Sequence, residues 1–179
     1  MAMIGLVALL LVGVTSAAMA STGSAKPAGS LPQAVRAATA QFNDVRKAQA
    51  AGYGVFHGCV SGQQEGAMGV HFAKPSLVDG AVDLGQPEAL LYEPKGDEME
   101  LVGVEYVVIA EAWNANHPAP PVLMGQLFNF VSAPNRYGLP AFYELHVWAW
   151  ERNPSGVFAD WNPRVECDDF VGEVMEHGH

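Results

Sequence analysis

Glu100-Leu101-Val102-Gly103-Val104-Glu105-Tyr106-Val107-Val108-Ile109-Ala110 is the stretch that decides the fold. β-Branched and aromatic residues dominate it, and they fit a pleated, half-buried surface better than a helix. It reads as the strongest strand of the chain. Alternation puts Leu101, Gly103, Glu105, Val107 and Ile109 on one face. Just upstream, Pro94-Lys95-Gly96-Asp97 is a turn signal and Ala89 to Glu93 a second β-prone run, so the spacing predicts a hairpin. Further out, Tyr53 to Val60, Gly66 to Phe72 and Phe142 to Trp150 read as strands, separated by Gly- and Pro-rich turns. Val122 to Phe130, bracketed by prolines, reads as a short helix. Before the first strand, Val35, Ala38, Phe42, Val45 and Ala48 recur at three- and four-residue intervals, which predicts an amphipathic helix over Leu31 to Ala51, ended by Gly52. One helix followed by hairpin-connected strands gives an α+β fold, the helix packed on a mainly antiparallel sheet, with a curved half-barrel as one form of it.

The rest of the 179-residue chain bounds the setting. Residues 1–20 read as a secretory signal: Ile4 to Val14 is almost unbroken in apolarity, and Ala18-Met19-Ala20 offers a small-x-small cleavage site. The first residues carry no Lys or Arg, so an uncleaved anchor is the alternative. Residues 21–31 form a flexible Ser/Gly/Ala/Pro leader, residues 32–168 a single domain, and residues 169–179 an acidic tail ending His177-Gly178-His179. These boundaries predict a secreted or periplasmic protein with no stable membrane insertion after cleavage. The formal net charge is −10, from 9 Lys+Arg against 19 Asp+Glu. Such a surface repels a polyanion and argues against nucleic acid. Cys59 and Cys167 are the two cysteines, and export favours a disulfide between them over a reactive Cys59 beside His57.

There is no phosphate-binding Gly-rich loop with Lys-Ser/Thr, no nucleophile elbow, no His-Glu-x-x-His helix and no paired-cysteine zinc framework. What remains is a set of polar residues in the middle of strands. His71 sits among Met68, Val70 and Phe72. Glu105 is the one charge among apolar neighbours on its face, and His146 shares a face with Phe142, Glu144, Trp148 and Trp150. Two imidazoles and a carboxylate are a common first shell for zinc, copper or iron, and a cation would offset the several kcal/mol lost on burying the charge. His71, Glu105 and His146 are therefore candidate metal ligands, with Glu88 or Glu144 as a fourth or supporting group. The same residues suit a hydrogen-bonded cluster that fixes strand register, or the acid–base machinery of an enzyme. Trp148, Trp150 and Trp161, with Tyr137 and Phe158, suit either the core or a stacking platform for a sugar.

Taken as a set, a helix ending in Gly52-Tyr53, then Met68-Gly69-Val70-His71, Pro87-Glu88-Ala89-Leu90, Val104-Glu105-Tyr106, His146 to Trp150 and Asp160-Trp161-Asn162-Pro163 resemble a family of uncharacterised secreted bacterial proteins. The resemblance covers roughly Ala38 to Cys167 and implies export and a compact domain. It implies no activity. The reading is an exported small binding protein whose partner is a small molecule or metal ion, held at the His/Glu/His cluster. An enzyme and a structural or carbohydrate-contacting module are the alternatives.

Overall fold

A computed structural model describes residues 29–176. The segment read as a signal sequence, most of the predicted leader, and the terminal His177 and His179 lie outside them. The chain opens with α1 (Leu31–Thr39), a 3₁₀ turn (Ala40–Asn43) and α2 (Val45–Ala50). The single helix expected over Leu31 to Ala51 is thus broken. Asp44 takes an extended conformation and its side chain accepts from the Arg46 amide, starting a fresh helix. Capping by a short acidic side chain competes with helix continuation, and here it wins. Val35, Phe42 and Ala48 of the predicted apolar stripe are buried nonetheless.

Strands β1 (Gly54–Gly62), β2 (Gly66–Ala73), β3 (Ala89–Lys95) and β4 (Glu98–Ile109) follow. The β3–β4 hairpin forms as predicted, but tighter. Lys95 pairs with Glu98, so only Gly96 and Asp97 make the turn. Gly96 has φ +59°, the left-handed conformation that glycine adopts without strain. After α3 (Ala110–Asn114), the segment read as a short helix is instead a small hairpin, β5 (Val122–Leu123) and β6 (Gln126–Leu127), followed by β7 (Asn129–Val131). Met124 and Gly125 both take positive φ at its turn, which no α-helix accommodates. β8 (Phe142–Val147) completes the sheet on that side and β9 (Val174–Glu176) on the other. The acidic C-terminal segment is therefore partly in the sheet, with β9 parallel to β1.

The sheet runs β7-β8-β4-β3-β2-β1-β9 and is antiparallel except at β1–β9. It curls into a half-barrel, α+β as expected. Its two faces differ. On the helix side Val70, Phe72, Leu90, Tyr92, Val104, Tyr106 and Leu145 are buried under α1 and α2. Tyr92 Oη donates to the Phe42 carbonyl at 2.6 Å, and the Arg36 guanidinium donates to the Ala149 carbonyl, so polar contacts fix the helices on the apolar layer. The strand expected to run to Trp150 stops at Val147. Trp150 and Glu151 amides both donate to the Val102 carbonyl, at 3.1 and 3.0 Å, and the chain bends there. Cys59 and Cys167 form a disulfide, joining β1 to the C-terminal segment across a sequence separation of 108. Among the described residues no helix is long and apolar enough to cross a membrane.

Candidate metal centre

Strand register assembles the second face. His71 pairs with Leu91, and Leu91 with Gly103. Ala89 pairs with Glu105, and Glu105 with His146, while Val107 pairs with Glu144. Side chains that alternate along each strand therefore bring His71, Glu105, His146 and Glu144 out on one side. The residues between them are small. A Cβ on Gly103 would stand 3.0 Å from the Val147 carbonyl oxygen and 3.4 Å from Leu91. Ala89 and Gly103 thus let His71 and Glu105 reach each other diagonally across β3. Gly69, two residues before His71, has φ +86° and lies so close to β3 that a Cβ there would be 2.5 Å from the Tyr92 carbonyl oxygen.

His71 Nε2 is 3.4 Å from Glu105 Oε2. One ligand atom from each of His71, Glu105 and His146 lies within 4.8 Å of the others, and all three residues are buried. Tetrahedral zinc with bonds of about 2.1 Å spaces its ligand atoms about 3.4 Å apart, so the His71–Glu105 edge already has that length. Glu144, His146 and Asp160 form a second such group, sharing His146. Asp160 Oδ1 stands 3.5 Å from His146 Nδ1, which leaves Nε2 as the other nitrogen of the ring. Beyond that long ion pair with Asp160, neither ring nitrogen of His146 makes a well-formed hydrogen bond among the described residues, nor does His71 Nδ1. Orphaned nitrogens on two imidazoles at 1% and 5% exposure are unusual, because an unpaired buried polar atom costs about 1–3 kcal/mol.

Burial and mutual charge set the proton inventory. Burial, with help from neighbouring His146, pushes His71 down to about 3, so this imidazole is neutral at pH 7 and keeps a lone pair. Burial pushes Glu105 up to about 8, against the pull of His146. Burial alone would lower His146, but the carboxylates of Glu105, Asp160 and Glu144 outweigh it and raise it to about 9. Burial raises Glu144 as well. Asp160 is held below the ordinary range, chiefly by His146.

The structure brings together His71, Glu105, His146 and Glu144. It sets Glu88 apart: its carboxylate accepts from the Val107 amide at 3.0 Å, occupying the position next to the end of β3 where a further ladder bond would fall. Sequence reasoning missed Asp160, which sits in a turn rather than a strand. The Trp148 indole donates to the Ala159 carbonyl at 2.6 Å, and Ala67 and Asn162 exchange two backbone bonds, so the loop carrying Asp160 is held against the sheet. Of the tryptophans expected to share a face with His146, Trp148 is buried and reaches the Ala159 carbonyl beside Asp160, whereas Trp150 reaches the opposite layer, where its Nε1 donates to Thr39 Oγ1. His57 lies in a bulge of β1, at φ +58°, and its Nε2 is 3.2 Å from the Tyr137 carbonyl. Cys59 beside it is committed to the disulfide. His117 stacks on Trp113, away from the cluster. No protein family, curated protein or solved structure matches this chain, so the reading of the site rests on its own geometry.

Proposed function

We propose that this chain is an exported binding protein that holds a divalent transition metal through His71, Glu105 and His146. One observation carries the reading. Two imidazoles and a carboxylate from three strands meet in a buried group, each offering one ligand atom to a common point that a cation would occupy once His146 and Glu105 give up their protons. Asp160 then plays the part of the carboxylate that orients a ligating imidazole, on the Nδ1 side of His146. Glu144 supplies a further oxygen on the same side. Soft thiolate chemistry is excluded because both cysteines are in the disulfide, so the donor set of nitrogen and oxygen suits zinc, copper or iron. Export is supported by the signal-like sequence of residues 1–20 and by the disulfide, and the resemblance to secreted bacterial proteins would agree with both.

The test is elemental analysis of protein purified without a His tag, with thermal melts before and after chelation and a cobalt(II) titration. One equivalent of metal, visible d–d absorption of tetrahedral cobalt and a melting temperature lowered by chelator are expected. His71→Ala and His146→Ala should each abolish the cobalt spectrum. Folded, metal-free protein that takes up no zinc or cobalt would end the reading.

A further inference from the structure

The face carrying His71 and Glu105 continues past them into an open-mouthed cavity of about 140 Å³. Its wall is almost wholly apolar, built from Phe56, Ala73, Val107, Ile109, Leu139 and Phe142. Three separate segments shape it. The β1 bulge between Val55 and Cys59 leans Phe56 over the face. β2 and β4 supply the floor. The loop over residues 132–141 supplies the roof, and Asn135 staples that loop. Its Oδ1 accepts from the Tyr137 and Leu139 amides, and its Nδ2 donates to the Ser132 and Leu139 carbonyls. The polar groups on the wall are His71, Glu105, Glu88 and Tyr137, and the Tyr137 hydroxyl has only the Met68 sulfur, at 3.6 Å, as its acceptor.

We propose that this cavity binds a neutral single-ring organic molecule bearing one hydroxyl, the ring against Val107, Ile109 and Phe142 and the hydroxyl at the Glu105–His71 end. Size sets the ring. An apolar protein cavity of about 150 Å³ holds one benzene, and this one is of that order. Charge sets the head group. No Lys or Arg lines the wall among the described residues and the chain carries −10, so in the metal-free protein a buried carboxylate ligand finds no cationic partner there. An ammonium would surrender its hydration to an apolar wall, at a cost of several kcal/mol. A hydroxyl is cheap to bury once bonded, and Glu105 or the Tyr137 hydroxyl meets it directly. The site shares His71 and Glu105 with the proposed metal centre. It does not need the ion, because the carboxyl group alone can accept or donate to a hydroxyl.

Benzyl alcohol is the probe, with benzylamine, benzoate and toluene as shape-matched comparators. Each is titrated into zinc-loaded and chelator-treated protein and followed by amide chemical shifts. Saturable shifts around β2, β4 and residues 132–141 are expected for benzyl alcohol. In the chelator-treated protein benzoate and benzylamine should bind roughly tenfold more weakly or worse, a difference of about 1.4 kcal/mol. Val107→Phe and Ala73→Leu fill the cavity from two sides and replace none of His71, Glu105 and His146, Ala73 lying farther from Glu144 than Val107 does. Each should weaken benzyl alcohol by roughly tenfold or more while zinc content stays at the wild-type level. Ala73 is half-buried at the end of β2, so its variant remains informative if Val107→Phe misfolds. Zinc uptake with no saturable binding of benzyl alcohol in either form overturns this inference and leaves the metal reading standing. Benzyl alcohol binding in protein that takes up no zinc does the reverse. Equal binding of benzoate to the chelator-treated protein, or binding untouched in both filled variants, also overturns it.

Discussion

Metal binding at the cluster would displace protons, chiefly those of Glu105 and His146. At pH 7 His71, pushed down to about 3, is already free of its proton. Glu105, raised to about 8, and His146, raised to about 9, each hold one. Both groups bind protons in the metal-free state and neither can as a ligand, so apparent affinity rises with pH. Between pH 6 and pH 7 both protons are almost fully in place. The gain is then close to a hundredfold, or about 2.7 kcal/mol per pH unit. Above pH 8 the slope falls as Glu105 ionises, and it flattens above pH 9. The measurement is zinc titration by calorimetry at pH 6.0, 6.5 and 7.0, repeated in buffers of different ionisation enthalpy to count released protons. Glu105→Gln removes one of the two protons, so its slope should drop to roughly tenfold per pH unit or less, on top of a weaker affinity. A pH-independent affinity in the wild type, or an unchanged slope in Glu105→Gln, would refute the reasoning.

Four further expectations follow from other parts of the molecule. Burial pushes Glu88 up to about 7, only partly countered by the Val107 amide. The folded state therefore holds a proton that the unfolded chain releases near pH 4.5, and stability falls as pH rises from about 4.5 to 7. Discounting for partial solvation, Glu88→Gln should match the wild type at pH 4.5 and exceed it by about 1–2 kcal/mol at pH 8 in urea melts; parallel pH profiles would contradict this. Replacing Cys59 and Cys167 together by serine frees a chain separation of 108 residues, and the urea-derived stability should fall by about 3–5 kcal/mol. An unchanged midpoint would show that the bridge constrains little. Asn135→Ala removes the staple of the 132–141 loop, with an expected loss of about 1–2 kcal/mol and faster amide exchange at Tyr137 and Leu139; exchange at wild-type rates would discount the staple. Finally, His71→Leu, Glu105→Leu and His146→Leu combined should leave the metal-free protein as stable as the wild type, or more stable by about 1–4 kcal/mol. A large loss of metal-free stability would mean that the cluster is there to hold the sheet.

The strands were legible because their composition is one-sided. A run such as Leu101 to Ile109 has few alternatives to a half-buried strand. His71, Glu105 and His146 were legible for the same reason, since a charge or imidazole in the middle of an apolar alternation has to be explained. Their convergence then depended on sheet order, which the hairpin spacing of β3 and β4 suggests and the position of β8 beside β4 completes. Asp160 gave no such signal. It reaches His146 because Trp148 and the Ala67–Asn162 bridge fold a turn back over the sheet, a tertiary event with no period in the sequence. The helix break at Asp44 and the hairpin in place of a helix near Met124 share a cause. In both, a local backbone preference outcompeted a plausible apolar pattern. Trp150 misled because alternation was extended past Val147, where the chain leaves the ladder.

The two faces of this sheet follow opposite physical rules, and that contrast is the strongest argument that the second face is a site. On the helix side, apolar residues are covered by α1 and α2, and the buried tyrosine hydroxyls find carbonyls: Tyr92 to Phe42, Tyr53 to Pro87, Tyr106 to Leu84. That face satisfies its polar groups. On the other, two imidazoles and three carboxyl groups sit close together with ring nitrogens unpaired, next to a cavity that small residues keep open. Leucines at these positions would fill the space and avoid the desolvation cost, and nothing in the register of β2, β3, β4 and β8 forbids them. A chain that pairs its buried polar groups so completely on one face has the means to do so on the other. On that reading the polar cluster and the open volume would serve as the donor set and the chamber of neighbouring proposed sites.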